Sequence, residues 1–243
     1  MQNFFTDNVN FSIDTVTLTG EEHHHATRSC RVKTGELIGV TDGCGKRVEA
    51  RIKAIDSSTL TAVIERDVSG FGEPAVEIAV ALSIIKPARF ELAVEKCTEL
   101  GARRFIPVIS QRCMVKPGRI STERLRRIAR EAAKQAGRSW IPKIVEPVNL
   151  SGLNAPIHCR LLVAAMNAEG DIGNVFLQVC RAASLTIVIG PEGDLTADEF
   201  KFLTQKKDAL PFSLGGLTLR SETAAIVATA NVAALSKGAE KIV

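Results

Sequence analysis

Near the C-terminus, two glycine-marked loops bring together residue types suited to holding a small polar ligand and acting on it. The first, Gly190-Pro191-Glu192-Gly193-Asp194, follows the apolar run 185–189. The second, Leu214-Gly215-Gly216-Leu217-Thr218-Leu219-Arg220-Ser221-Glu222, leads into an alanine-rich segment. Gly190 and Gly193 let the backbone approach a ligand closely or take φ > 0, and Pro191 fixes one dihedral between them. Arg220 supplies a planar cation for charge that develops during a reaction, and Glu192 and Glu222 supply carboxylates that handle a proton or orient a partner. The same residues also read as ordinary punctuation between strand and helix, with each glutamate serving the positive end of a helix. Other chemistries fit less well. In a strand, neighbours point to opposite sides, so His23-His24-His25 cannot all face one metal ion and no metal is expected. Cys30, Cys44, Cys97, Cys113, Cys159 and Cys180 are widely spaced without a C-x-x-C, which reads as reduced packing residues rather than a zinc site or disulfide framework. A dinucleotide fingerprint, a Walker A loop and a G-x-S-x-G elbow are absent.

The net charge of +4 is unevenly spread. Residues 1–72 and 144–243 each hold 8 Lys/Arg against 10 Asp/Glu, whereas residues 86–143 hold 15 against 5. A surplus of that size in one stretch is a candidate footprint for a polyanion such as RNA, whose phosphates release counterions on meeting Lys and Arg. Arg124, Arg127 and Arg130 stand at helical i, i+3 spacing, so like charges crowd one face at a cost that phosphates would relieve. The alternative is a solvated helix face.

These residues need a scaffold. With 45% hydrophobic and 24% charged residues, 243 residues bury a full core. No apolar run approaches the roughly 18 residues that cross a bilayer, and the start lacks a basic flank and apolar core, so a cytoplasmic protein without a membrane partner is expected. Short runs rich in Val, Ile, Thr and Leu at 16–18, 37–41, 48–55 and 60–64 read as a small all-β barrel over residues 1–72, and Ser69-Gly70-Phe71-Gly72-Glu73-Pro74 as a linker. Over 73–243 strands alternate with helices: strands at 76–85, 105–109, 160–164, 185–189 and 210–214, helices at 88–100 and 122–136, a helix after Thr196 and a last one at 222–236. Thr196 and Glu199 have capping-box spacing, and Gly238 reads as a stop past the last helix. The fold class is α/β, a mostly parallel sheet with helices on both faces.

The ordered set Lys86, Glu95-Lys96-Cys97-Thr98-Glu99-Leu100-Gly101, Pro107, Arg130-Glu131-Ala132-Ala133-Lys134-Gln135-Ala136-Gly137-Arg138 and Pro142, together with the two C-terminal loops, resembles the RsmE family of the SPOUT superfamily of RNA methyltransferases. His25, the stretch from Arg31 to Glu36, and Asp42-Gly43 are similar to that family's N-terminal elements, so the resemblance spans nearly the whole chain. Asp194 departs from it where a second glycine is usual, Ser29-Cys30 where Val-Leu is usual, and Leu217-Thr218 where Arg-Ile is usual.

The resemblance implies a SPOUT-type parallel sheet with a trefoil knot, a PUA-like RNA-binding barrel and a homodimer. It implies an enzyme that uses S-adenosylmethionine to methylate N3 of a uridine in 16S ribosomal RNA, with the assembled small subunit as the expected substrate. Arg220, Glu192 and Glu222 are then the catalytic candidates. Cofactor contacts fall to Leu162, Ala164, Met166, Asn167, Ile189, Gly190, Pro191, Glu192, Gly193, Leu214, Gly215, Leu217, Thr218 and Leu219. His25, Arg31, Lys86, Arg112, Arg124, Arg127, Arg130, Gln135 and Arg138 are expected to meet RNA. Two rival readings stay open on the residues alone: a non-catalytic RNA-binding protein, and an enzyme that uses the Gly190 loop to cradle a nucleotide phosphate.

Overall fold

The computed structural model describes residues 1–7, 11–154 and 159–239, and the chain divides into two compact units. The first comprises Met1–Glu73 and Arg130–Ile141, the second Pro74–Ala129 and Pro142–Val243.

In the first unit, β1 (Gln2–Phe5), β2 (Thr15–Thr19), β3 (Leu37–Thr41), β4 (Arg47–Ile55) and β5 (Thr59–Asp67) form one sheet in the order β1-β3-β4-β5-β2. All neighbours are antiparallel except β1 and β3. Alternate residues such as Ile38 and Val40, or Val48, Ala50 and Ile52, enter its core, as the period of two in a half-buried strand requires. The unit is not purely β. A short helix, α1 (Gly20–His24), runs into a π-helical turn at His25–Ser29, so the three histidines are helical rather than extended. Residues 130–141 belong here through backbone bonds from Ile141 N to Gly43 O and from Gly45 N to Ser139 O, both 2.9 Å.

The second unit holds β6 (Glu77–Ser83), α2 (Pro87–Glu99), β7 (Ala102–Ile109), α3 (Thr122–Ala136, which passes into the first unit at Arg130), β8 (Lys143–Ile144), β9 (Val148–Asn149), β10 (Cys159–Ala164), α4 (Ile172–Val179), β11 (Ser184–Ile189), α5 (Ala197–Lys206), β12 (Leu210–Phe212) and α6 (Ser221–Ala239). The sheet is parallel throughout, ordered β12-β10-β11-β6-β7-β8, with β9 also on β7. Both faces are covered, which explains the unbroken apolar runs: Ile187 and Ile189 join one core with α2, α4 and α6, while Val188 joins the other with Leu203 of α5. Ala225 and Ala228 of α6 are fully buried, and the Thr229 hydroxyl bonds to Ala225 O at 2.7 Å and Cys97 Sγ at 3.4 Å. Small residues thus let α6 lie close against α2.

Several boundaries differ from the sequence expectation. Strand β12 ends at Phe212, and α6 continues through Gly238, so that glycine lies inside the helix rather than past its end. The capping box at Thr196 and Glu199 is formed in both directions.

Candidate active site

Strands β12, β10 and β11 are adjacent and parallel, so the segments that leave their carboxyl ends must converge. They enclose a cavity of about 340 Å³, a size ordinary for a small-molecule site. Its wall takes Ala164, Ala165 and Met166 after β10; Ile189, Gly190, Pro191, Glu192, Gly193 and Asp194 after β11; and Leu214, Gly215, Leu217, Thr218, Leu219, Ser221 and Ala224 between β12 and α6. The Thr218 hydroxyl reaches Met166 Sδ at 3.3 Å and links two of these loops. Of the expected cofactor residues, Leu162 belongs to the core and Asn167 follows the lining residue Met166 in the chain, and neither lines the cavity. Ala165, Asp194, Ser221 and Ala224 line it in addition to the residues named above as cofactor contacts.

The loop after β11 has its shape for reasons that differ from expectation. Neither Gly190 nor Gly193 has φ > 0. A Cβ added to Gly190 would lie 3.0 Å from Asp194 Oδ1 and 3.1 Å from Leu195 N, so the loop packs tightly around this glycine and disfavours any side chain there. Asp194 carries the positive φ, 60°, where the resembling family has glycine. Aspartate is among the few side chains that tolerate that region, and here its Oδ1 accepts the Leu195 amide at 2.7 Å. Arg112 reaches the same loop, donating from Nη1 to Gly193 O at 2.8 Å.

The three catalytic candidates occupy different settings. Arg220 is exposed, and no carboxylate among the described residues pairs with it. Glu222 is buried in the first turn of α6, and Arg89 pairs with it instead, Nε to Oε1 at 3.6 Å. Arg89 also faces Glu192, Nη1 to Oε1 at 3.5 Å. Sequence reasoning missed Arg89. The available signal was a cation in the first turn of α2, where the positive end of the macrodipole disfavours it.

Residues expected at RNA occupy several settings. Lys86, Arg127 and Gln135 are exposed. Arg124 is exposed but bidentate to Glu91 at 2.6 and 2.8 Å. Arg130 lies 3.7 Å from Glu22 and 4.4 Å over the Phe5 ring. Arg138 is buried in an ion pair with Glu73, which also accepts the Ser139 amide, so this guanidinium serves the framework. Arg31 is exposed with φ 54°, and half-buried His25 meets the Phe4 ring edge-on, with Nε2 3.4 Å from Cys30 Sγ. Among the described residues no His, Cys, Asp and Glu cluster could hold a metal, and no helix is long and apolar enough to cross a membrane.

A family model described as RNA methyltransferase domain matches residues 72–233, and one described as RNA methyltransferase PUA domain matches residues 18–65. The chain is 33% identical over 225 residues to ribosomal RNA small subunit methyltransferase E of Synechocystis sp., covering 91% of this chain and 73% of that protein. The protein of that name from Bacillus subtilis is 28% identical over 242 residues, 94% of each chain. The crystal structure of ribosomal RNA small subunit methyltransferase E from Neisseria gonorrhoeae bound to S-adenosyl methionine superposes with a TM-score of 0.83 at 26% identity, covering 97% of this chain and 98% of that one. A putative methyltransferase from Legionella pneumophila in complex with the same cofactor gives a TM-score of 0.76 at 27% identity over 96% of each.

Proposed function

This chain belongs to the ribosomal RNA small subunit methyltransferase E family of RNA methyltransferases, and from that membership we propose that it methylates N3 of a uridine in 16S ribosomal RNA with S-adenosylmethionine as donor. The observation that carries the reading is the cavity at the carboxyl ends of β12, β10 and β11. Its residues fit the donor: apolar side chains such as Ile189, Leu214 and Leu219 suit an adenine ring, and the Glu192 and Asp194 carboxylates suit a cationic ligand. S-adenosylmethionine supplies a methyl group activated by its sulfonium charge. The chain has to align donor and acceptor and exclude water. Arg220 is exposed, has no paired carboxylate among the described residues and stands between the cavity residues Leu219 and Ser221, which supports a role in stabilising the negative charge that spreads over the uracil oxygens as N3 loses its proton.

The reading extends to a homodimer acting in the cytoplasm on the assembled small subunit, with Arg127 and Lys86 among the residues that meet RNA phosphates. The test has two arms. Thermal stability is measured with S-adenosylmethionine, its demethylated product, and nucleotides, because a ligand that binds only the folded state raises the melting temperature by mass action. Small-subunit RNA, free and assembled, is then treated with the protein and read by reverse transcription, which stops where N3 carries a methyl. Stabilisation by nucleotides and not by the methyl donor, or treated RNA without a new stop, defeats the reading.

A further inference from the structure

Arg89 belongs to no motif that the sequence offers, yet its guanidinium is shared by two carboxylates from separate segments, 3.5 Å from Glu192 Oε1 and 3.6 Å from Glu222 Oε1. At such separations charge joins the three groups more than directed N–H donation does. The second oxygen of Glu222, Oε2, is buried and has no hydrogen-bond partner among the described residues. The side chain keeps only 6% of its surface, and a carboxylate that deep is costly while its lone pairs go unused. An acceptor without a donor, next to a cation and in the residue that follows Ser221 of the cavity wall, is a place for a proton to arrive. Arg89 itself stands in the first turn of α2, its amide bonded to Lys86 O at 2.9 Å, where a cation opposes the helix dipole. The two glutamates offset that cost.

We propose that Arg89 is a positioning residue of the methyl-transfer site, tying Glu192 and Glu222 together so that Glu222 Oε2 accepts the N3 proton of the target uridine. The proposal rests on uridine N3 being the methyl acceptor. In the step, the N3–H bond breaks and its proton passes to Glu222 Oε2. The pair left on N3 forms the bond to the methyl carbon, the carbon–sulfur bond breaks, and its pair stays on sulfur. Arg89 forms no bond in this step; it keeps the acceptor carboxylate in place and links the loop after β11 to the start of α6. Cytidine carries no proton at N3, so it would leave Oε2 without a donor, and the arrangement selects uridine.

The test compares wild type, Arg89→Gln, Arg89→Lys and Glu222→Gln in single-turnover methylation of RNA carrying uridine or 5-fluorouridine at the target, with calorimetric titration of S-adenosylmethionine beside it. Fluorine at C5 makes the N3 proton more acidic, so a defect in accepting that proton shrinks on the fluorinated RNA. Arg89→Gln and Glu222→Gln are expected to slow transfer of uridine roughly 100-fold, a typical loss for a proton-transfer group. On 5-fluorouridine both should recover most of the loss, Arg89→Lys should stand between Arg89→Gln and wild type, and cofactor affinity should stay near that of wild type. Equal defects on the two RNAs, a wild-type rate in Arg89→Gln, or a collapse of cofactor affinity in that variant would each overturn the assignment. Failure of the underlying reading is distinct, because wild type itself would then leave N3 of both RNAs unmethylated.

Discussion

Arg112 donates from Nη1 to the Gly193 carbonyl at 2.8 Å, which fastens the segment after β7 to the loop after β11. A residue drawn from the basic stretch, and expected at RNA, therefore braces the wall of the cofactor cavity. Arg112→Ala should weaken S-adenosylmethionine binding about fivefold, the worth of roughly 1 kcal/mol for one partly exposed hydrogen bond to a charged donor. Calorimetry on the folded variant decides it. Unchanged cofactor affinity with weakened RNA binding would assign Arg112 to RNA instead.

Gly190 and Asp194 make opposite demands on substitution. At Gly190 a methyl group presses on Leu195 N, a backbone atom that cannot swing away. Gly190→Ala is therefore expected to cost about 1–2 kcal/mol in stability, in the range of overpacking, and to lower cofactor affinity through the displaced loop. Both Asp194→Gly and Asp194→Ala lose the bond to Leu195 N, but glycine is at ease at φ 60° and offsets that loss, so Asp194→Gly should be nearly neutral, whereas Asp194→Ala keeps a strained Cβ as well, at about 1 kcal/mol. Thermal unfolding of the three variants checks the order, and Asp194→Gly falling below Asp194→Ala would contradict it.

The cavity was legible in the sequence because a parallel sheet covered on both faces writes its strands as apolar blocks, and the blocks ending at Ala164, Ile189 and Phe212 deliver their glycine loops to one edge. Of the elements of two to five residues, β2, β3 and β12 were legible as apolar or β-branched runs between turns, whereas β1, α1, β8 and β9 were not, since so few residues carry too little of a period. Helix α4 was missed although Asp171 caps it, accepting the Asn174 amide at 2.8 Å, because Ile172, Val175, Phe176 and Val179 make a short apolar run that also suits a strand. Arg89 was illegible for a deeper reason. Its meaning depends on the start of α2 lying beside both Glu192 and Glu222, which are 103 and 133 positions away in the chain. The return of residues 130–141 to the first unit is likewise a tertiary fact, carried by the backbone bond of Ile141 to Gly43.

Arg220→Lys tests the charge-stabilising role. The side chain is exposed and pairs with no carboxylate among the described residues, so its replacement has little to disturb in the fold. Lysine keeps the charge and loses the planar fork that meets two acceptors at once. Single-turnover methylation should fall by roughly 10–100-fold with the melting temperature unchanged, the loss expected when a stabilising donor is misplaced. A wild-type rate removes Arg220 from the chemistry.

Burial pushes the Cys97 thiol up to about 12 from an ordinary 9.0, while the bond from Thr229 acts in the other direction. The folded state thus favours the neutral thiol. Its contribution is intact below about pH 9 and is lost as pH rises from there toward 12, by up to roughly 1.4 kcal/mol per pH unit for one proton. In native protein, exposed Cys44 and Cys180 should react with an alkylating reagent at pH 8 while Cys97 reacts only after unfolding. Across pH 9–11, Cys97→Ala should lose stability less steeply than wild type, and identical slopes would deny the thiol its part.

The basic face of α3 separates into charges with internal partners and charges without. Arg124 spends both ends of its fork on Glu91, and Arg126 pairs with Glu146 at 3.1 Å, whereas Arg127 is exposed and has no carboxylate in reach among the described residues. Breaking an exposed pair costs little, so Arg124 remains able to turn toward a phosphate, but it must first leave its glutamate. Arg127→Gln should therefore weaken RNA binding more than Arg124→Gln, and should lower the slope of log affinity against log salt by about one, as expected for one fewer neutralised phosphate. Fluorescence anisotropy across a salt series reads both quantities. Equal slopes in wild type and Arg127→Gln would make this helix face a solvated surface, and the RNA footprint would then have to be sought at Lys86 and Arg31.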